Sequence, residues 1–166
     1  MLELKYEPHA LLHQRLTEFT FDGDLDPEQL EHDMLAVMHE NRGIGLAANQ
    51  VDIQSRVFVI GSNGIDGFPK PQAFFNPMIT GTSRETSLDR EGCLSFPGLW
   101  LKVSRPIWVE MTYQDSRGLW NDVRVDGYVA KVVQHEIDHL DGICFTNRVS
   151  KLKIEMALKK MKKNWR

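Results

Sequence analysis

A disulfide scaffold is excluded by scarcity: the 166-residue chain holds two cysteines, Cys93 and Cys144, far below the density of small stapled domains. A chain of this length can bury a substantial core, so both are expected as reduced thiols, each needing its own explanation. Long apolar runs are also missing, and no stretch approaches the roughly 18 residues of a membrane-spanning helix. The opening, MLELKYEPHALL, lacks the basic region and apolar core of a secretory leader, so the expected setting is the cytoplasm or an equivalent soluble intracellular compartment. Nor is there an excess of positive charge. With 20 Lys and Arg against 23 Asp and Glu, a net charge of −3 and a pI near 6.1 argue against a surface built as a whole for DNA, RNA or anionic lipid. Repeats and low-complexity linkers are absent too, so residues 1–166 are expected to form one domain.

What charge there is falls unevenly. Residues 1–41 carry ten acidic and two basic residues, residues 151–166 seven basic and one acidic, and the segment between is nearly neutral with eleven basic and twelve acidic. The chemistry-bearing motifs all lie in that neutral segment. Asp26-Pro27-Glu28-Gln29 combines a capping side chain with a proline suited to a first helical turn, ahead of Leu30, Met34, Val37 and Met38, and predicts a helix over 27–41. GIGLAANQ at 43–50 then reads as a packed loop before a strand at 56–60, RVFVI. Glycines and prolines over 61–71 predict a turn-rich connection, and 74–79 an edge strand around Pro77. Alternation of Ile107, Val109, Met111 and Tyr113, a turn at Asp115-Ser116-Arg117-Gly118 and the run 119–125 predict an antiparallel hairpin whose aromatics are sheet core. A second helix is expected over 128–141, ended by Asp141-Gly142.

That second helix carries QHEIDHLDG. His135 and His139 stand one helical turn apart, so both imidazoles can face one metal ion, and Glu136 stands close enough to act on water held there. The bland alternative is a surface helix whose histidines only form hydrogen bonds; the apolar approach through Val129, Val132 and Val133 speaks against it. A third ligand is needed, and Cys93 in EGCLSFPG is the best candidate, since a thiolate and two imidazoles leave one tetrahedral position open. Cys93 could instead be a buried structural thiol, or a nucleophile paired with His135. Cys144, between Ile143 and Phe145, reads as a small core residue. Gly43 and Gly45 suit sharp backbone turns, and no Lys-Ser/Thr follows them as a phosphate-cradling loop would require.

Taken together, GIGLAANQ at 43–50, EGCLS at 91–95 and QHEIDHLDG at 134–142 resemble the peptide deformylase family in order, separation and internal spacing, across most of 27–149. The resemblance implies an α+β fold, with twisted antiparallel β-sheets around a central metal-binding helix. It implies Cys93, His135 and His139 as ligands of one divalent ion, Fe²⁺ as the biological metal and Zn²⁺, Ni²⁺ or Co²⁺ as further occupants. The implied reaction is hydrolysis of the N-formyl group from the initiator methionine of nascent polypeptides, with release of formate. Glu136 then serves as general base and afterwards as general acid. The Gln50 side-chain amide and the Leu94 backbone N–H hold the oxyanion, Gly45 contacts the peptide backbone, Ile44 helps hold methionine, and Gly92 permits close approach to the site. An HExxH metallopeptidase is the alternative reading, because that motif alone does not separate formamide from peptide cleavage. A purely structural metal-binding protein or a ribosome-binding protein stands further off.

Two features depart from the family pattern or lie outside it. Trp100 stands where many bacterial-type relatives have a basic residue near the substrate path; it reads either as cover for core surface or as part of that path. The ending KLKIEMALKKMKKNWR from about residue 151 predicts a short terminal helix, with Leu152, Met156 and Lys159 on one face and Ile154, Leu158, Met161 and Trp165 along a neighbouring apolar path. Its Lys159, Lys160, Lys162, Lys163 and Arg166 suggest contact with ribosomal RNA, against a plain solvated helix.

Overall fold

The computed structural model describes residues 2–61 and 69–164. Helix α1, Pro27–Glu40, begins where the sequence predicts: Asp26 caps it by accepting a hydrogen bond from the Gln29 backbone N–H at 2.9 Å, and Pro27 occupies the first turn. Its apolar stripe, Leu30, Met34, Val37 and Met38, is buried. The next segment differs from expectation. GIGLAANQ is not a loop: Gly45–Ala47 forms strand β1 and Ala48–Val51 a turn of 3-10 helix, because β1 pairs antiparallel with β2, Val57–Ile60, in the register Gly45 to Ile60. Most of the turn-rich connection expected over 61–71 lies outside the described residues.

Strand β3, Gln72–Thr82, corrects a second expectation. It lies inside the five-stranded sheet, whose order is β1-β2-β3-β6-β7, rather than at its edge. Pro77 cannot donate to a ladder; it is tolerated here because the pairing with β6 shifts register between Phe75 and Met78, next to Asn76 at φ 47°. The Asn76 side chain repairs the interruption by accepting from Phe19 N at 2.7 Å and donating to Phe19 O at 2.9 Å. Strands β6, Trp108–Gln114, and β7, Trp120–Asp126, form the expected hairpin. Its core is Val109, Met111 and Tyr113; of the aromatics expected inside, Trp120 is exposed and Trp108 lies under the Arg124 guanidinium, 4.1 Å from ring centre.

The second of the antiparallel sheets that the resemblance implies is two-stranded, and the residue pattern does not by itself predict its strands. Strands β4, Thr86–Cys93, and β5, Phe96–Pro106, form a long antiparallel hairpin that turns at Leu94-Ser95. Helix α2, Gly127–Leu140, packs against β1, β2, β6 and β7 on one side and β5 on the other, so the two sheets clasp it as an α+β arrangement. Every residue from Ala130 to Leu140 is buried. Helix α3, Lys151–Asn164, lies on β5. The side it buries is Ile154, Ala157, Leu158 and Met161, against Leu99, Leu101, Val103 and Phe145; Leu152 and Met156 face solvent, and Trp165 lies outside the described residues.

Candidate metal centre

A helix buried from Ala130 to Leu140 must satisfy each polar side chain it carries, and α2 carries six in that stretch: Lys131, Gln134, His135, Glu136, Asp138 and His139. Lys131 reaches Ser87 and Asp89 on β4. Gln134 donates to the Pro106 carbonyl at 3.0 Å. Asp138 accepts from Arg105 at 2.9 Å and from Arg148 at 2.5 Å and 3.0 Å. His135 Nδ1 lies 3.0 Å from Glu91 Oε2. Two buried atoms are left without a partner among the described residues of this helix: Glu136 Oε2 and His139 Nδ1.

The spare nitrogens of the two histidines converge with a sulfur. Cys93 at the end of β4, His135 and His139 each offer one ligand atom, all within 4.8 Å of one another, and Cys93 Sγ is 3.3 Å from His139 Nε2. The helical one-turn spacing supplies the pair, and the β4-β5 turn brings the cysteine across. This donor set, a soft thiolate with two imidazoles and an orphaned carboxylate oxygen beside them, fits a divalent transition ion with one side left open. Cys144 is elsewhere: fully buried, its thiol donating to the Leu12 carbonyl at 3.6 Å, with burial pushing it up to about 12. It is a core residue, as expected, and the two cysteines are unpaired.

The electrostatics divide the site into a fixed half and a mobile-proton half. Burial would push the Glu91 carboxyl up, but hydrogen bonds with His135 and Arg105 outweigh it and bring the group down to about 2. Arg105 is buried and grips Glu91 through two N–H groups, at 2.5 Å and 3.0 Å. Glu91 thus holds the ring of His135 in place, as second-layer carboxylates commonly do around metal-binding histidines. Among the described residues Glu136 has no such counter-charge in contact. Burial pushes it up to about 7, opposed by His135 and reinforced by Glu91. The two carboxylates, Glu91 and Glu136, are set apart by environment, one locked as an anion and one poised near neutrality.

The remaining expected site residues surround this pair. Gln50 is buried, and its amide is oriented at both ends: Oε1 accepts from Ala47 N at 2.9 Å, while Nε2 donates to Ser95 Oγ at 3.0 Å and to Cys93 Sγ at 3.4 Å. Gly45 on β1 runs directly against Glu136; a Cβ there would lie 2.4 Å from Glu136 Oε1. Gly92 is constrained less tightly: a Cβ there would lie 3.0 Å from the Trp100 ring. Ile44, Gly45, Gln50, Gly92, Cys93, Leu94, His135 and Glu136 all line one open cavity of about 530 Å³. Trp100 lines it too, half-exposed at 51%, so it stands at the cavity wall rather than over core. Sequence reasoning missed Arg105, Asp138 and Ser95, and also Tyr128, which lines the same cavity. For Arg105 a signal existed: with Leu99, Leu101 and Val103 it occupies the inward parity of β5.

Two sheets clasping a buried HExxH helix, with a strand-end cysteine beside its two histidines, define an α+β protein with a candidate metal centre. A family model described as polypeptide deformylase matches residues 1–155, and the chain belongs to that family. It is 44% identical over 122 residues to a peptide deformylase of Prochlorococcus marinus (strain NATL1A), a match covering 74% of this chain but only 60% of that relative's length. Among solved structures, a peptide deformylase from Synechococcus elongatus in complex with actinonin superposes with a TM-score of 0.87 at 38% identity, covering 96% of this chain and 86% of that one. A peptide deformylase from Thermotoga maritima gives a TM-score of 0.82 at 35% identity over 90% of this chain and 98% of that one.

Proposed function

We propose that this chain removes the N-formyl group from the initiator formyl-methionine of nascent polypeptides, releasing formate and a free amino terminus. The observation that carries the reading is the convergence of the Cys93, His135 and His139 donor atoms beside a Glu136 oxygen that has no partner among the described residues, with Cys93, His135 and Glu136 on the wall of one open cavity. In this reading the three residues hold a divalent ion, which supplies Lewis-acid polarisation and eases ionisation of water. Fe²⁺ is the ion we assign, on the family resemblance; Zn²⁺, Ni²⁺ or Co²⁺ suit the same donors.

Glu136 takes a proton from the attacking water and returns it to the departing nitrogen; its position near neutrality suits both directions of transfer. Attack on the formyl carbon places negative charge on the carbonyl oxygen. The Gln50 amide, already oriented by Ala47 and Ser95, and the Leu94 backbone N–H are the donors we assign to that oxygen. Gly45 gives the peptide backbone access beside Glu136, and Ile44 with Leu94 and Val132 supplies apolar wall for the methionine side chain. Glu91 and Arg105 act through His135 and do not touch the reacting atoms.

The discriminating assay uses anaerobically prepared, metal-analysed protein with a formyl-Met peptide and its unformylated counterpart. Formate release with the rest of the peptide intact supports the reading; internal cleavage of the unformylated peptide supports a metallopeptidase instead. The setting we propose is a soluble compartment with initiating ribosomes, and no helix of the described residues is long and apolar enough to cross a membrane. Ribosome contact would fall to the exposed Lys159, Lys162 and Lys163 of α3. Charge reversal at those three should weaken salt-sensitive ribosome binding, and unchanged binding would remove that assignment.

A further inference from the structure

Beside the site cavity, separated from it by the Trp100 indole, lies a second groove of about 300 Å³ between β5 and α3. Arg90, Gly98 and Trp100 line both, so the two spaces adjoin at that ring. The rest of the groove is Leu101, Lys102, Ala157, Lys160 and Met161. Its charge is of one sign: Arg90, Lys102 and Lys160 are all exposed, and among the described residues none of them forms an ion pair.

Two of these cations are placed where sheet energetics disfavour them. Arg90 and Lys102 are directly opposite each other in the β4-β5 ladder, a like-charge pair that destabilises an antiparallel sheet. Arg90 is further held with its guanidinium over Trp100, 4.8 Å from the ring centre, so it is presented at the rim shared by both spaces. From Cys93 the Arg90–Lys102 rung is three residues back along β4, about 10 Å, which an extended peptide covers in roughly three residues.

We propose that this groove is a subsite for acidic side chains of the peptide substrate, at about the third to fifth residue, so that the chain prefers nascent termini carrying Asp or Glu there. The inference rests on the deformylase reading for its substrate, and on the groove's own geometry and charge for its selectivity. Trp100 is the floor over which the peptide passes from one space to the other.

The test compares formyl-Met peptides that differ only by Glu or Gln at the third, fourth or fifth residue, with metal-loaded wild type and with a Lys102→Glu/Lys160→Glu variant. In wild type at low ionic strength kcat/KM should favour Glu by about three- to tenfold at one of these positions, shrinking with added salt. In the variant the preference should vanish or reverse. Equal kcat/KM for Glu and Gln peptides, with normal turnover of both, overturns the groove and leaves the deformylase reading standing. Failure of every formyl peptide to turn over overturns that reading. The groove is then decided by direct titration of the unformylated Glu and Gln peptides, where equal affinities overturn it and tighter Glu binding supports it. A variant that loses affinity for a single-stranded RNA oligonucleotide while the Glu-to-Gln ratio in wild type stays at unity assigns the cations to nucleic acid and overturns the proposal.

Discussion

Glycine at position 45 has a mechanistic consequence out of proportion to its size. The Glu136 carboxylate occupies the space where a side chain would begin, so Gly45→Ala should push that carboxylate aside rather than unfold β1. Turnover of a formyl-Met peptide should fall at least about tenfold, as expected when a proton-transfer group is misplaced by an ångström, while metal content is kept. Retained turnover would show that the contact with Glu136 does not matter. Arg105 is the complementary case. It is a buried cation shared by Glu91 and Asp138, so Arg105→Ala leaves two buried carboxylates without it and should cost about 3–5 kcal/mol in denaturant titrations. Arg105→Lys keeps the charge but loses the two-pronged grip on Glu91 and should cost less. Cys93, His135, Glu136 and His139 can be singled out from residue type and spacing; for Arg105 the signal is its parity with Leu99, Leu101 and Val103 in FPGLWLKVSRP, which carries meaning only once that run is known to be a strand.

Among the elements, the two long helices were readable because each carries its own start and periodicity: the Asp26 cap with Pro27 for α1, and the apolar and histidine spacing for α2. The β6-β7 hairpin was readable from strict alternation and the Asp115–Gly118 turn. Elements whose form depends on distant pairing were not. GIGLAANQ becomes a strand only beside β2, β3 moves inside the sheet only by shifting register around Pro77, and β4 is too polar to announce itself without β5. The terminal helix offers two apolar paths in sequence, and of these Ile154, Leu158 and Met161 turn inward while Leu152 and Met156 stay exposed. Because Ile154, Ala157, Leu158 and Met161 cover Leu99, Leu101, Val103 and Phe145, α3 is part of the fold rather than a free tail. Ending the chain after Ser150 should lower stability by on the order of 3–5 kcal/mol, from the apolar cover removed, and expose hydrophobic surface to dye binding. An unchanged melting temperature would contradict that packing.

At the scale of the molecule, charge and chemistry are arranged along one path. The site cavity sits where both sheets meet α2, its anionic Glu91 neutralised by Arg105, and its rim passes over Trp100 to the cations of β4, β5 and α3. The modest net charge of −3 gave no hint of this, since the acidic first 41 residues mask the basic end. Glu136, buried beside the Cys93, His135 and His139 donor atoms and with no partner for Oε2 among the described residues, is the group we propose moves the proton. Glu136→Gln keeps the shape and removes the basicity. The most direct measurement is formate release from a formyl-Met peptide by anaerobically loaded wild type and Glu136→Gln at matched metal content. Loss of turnover by about 10²–10⁴-fold with metal retained is the expected result, and near-wild-type turnover in the metal-loaded variant would contradict it.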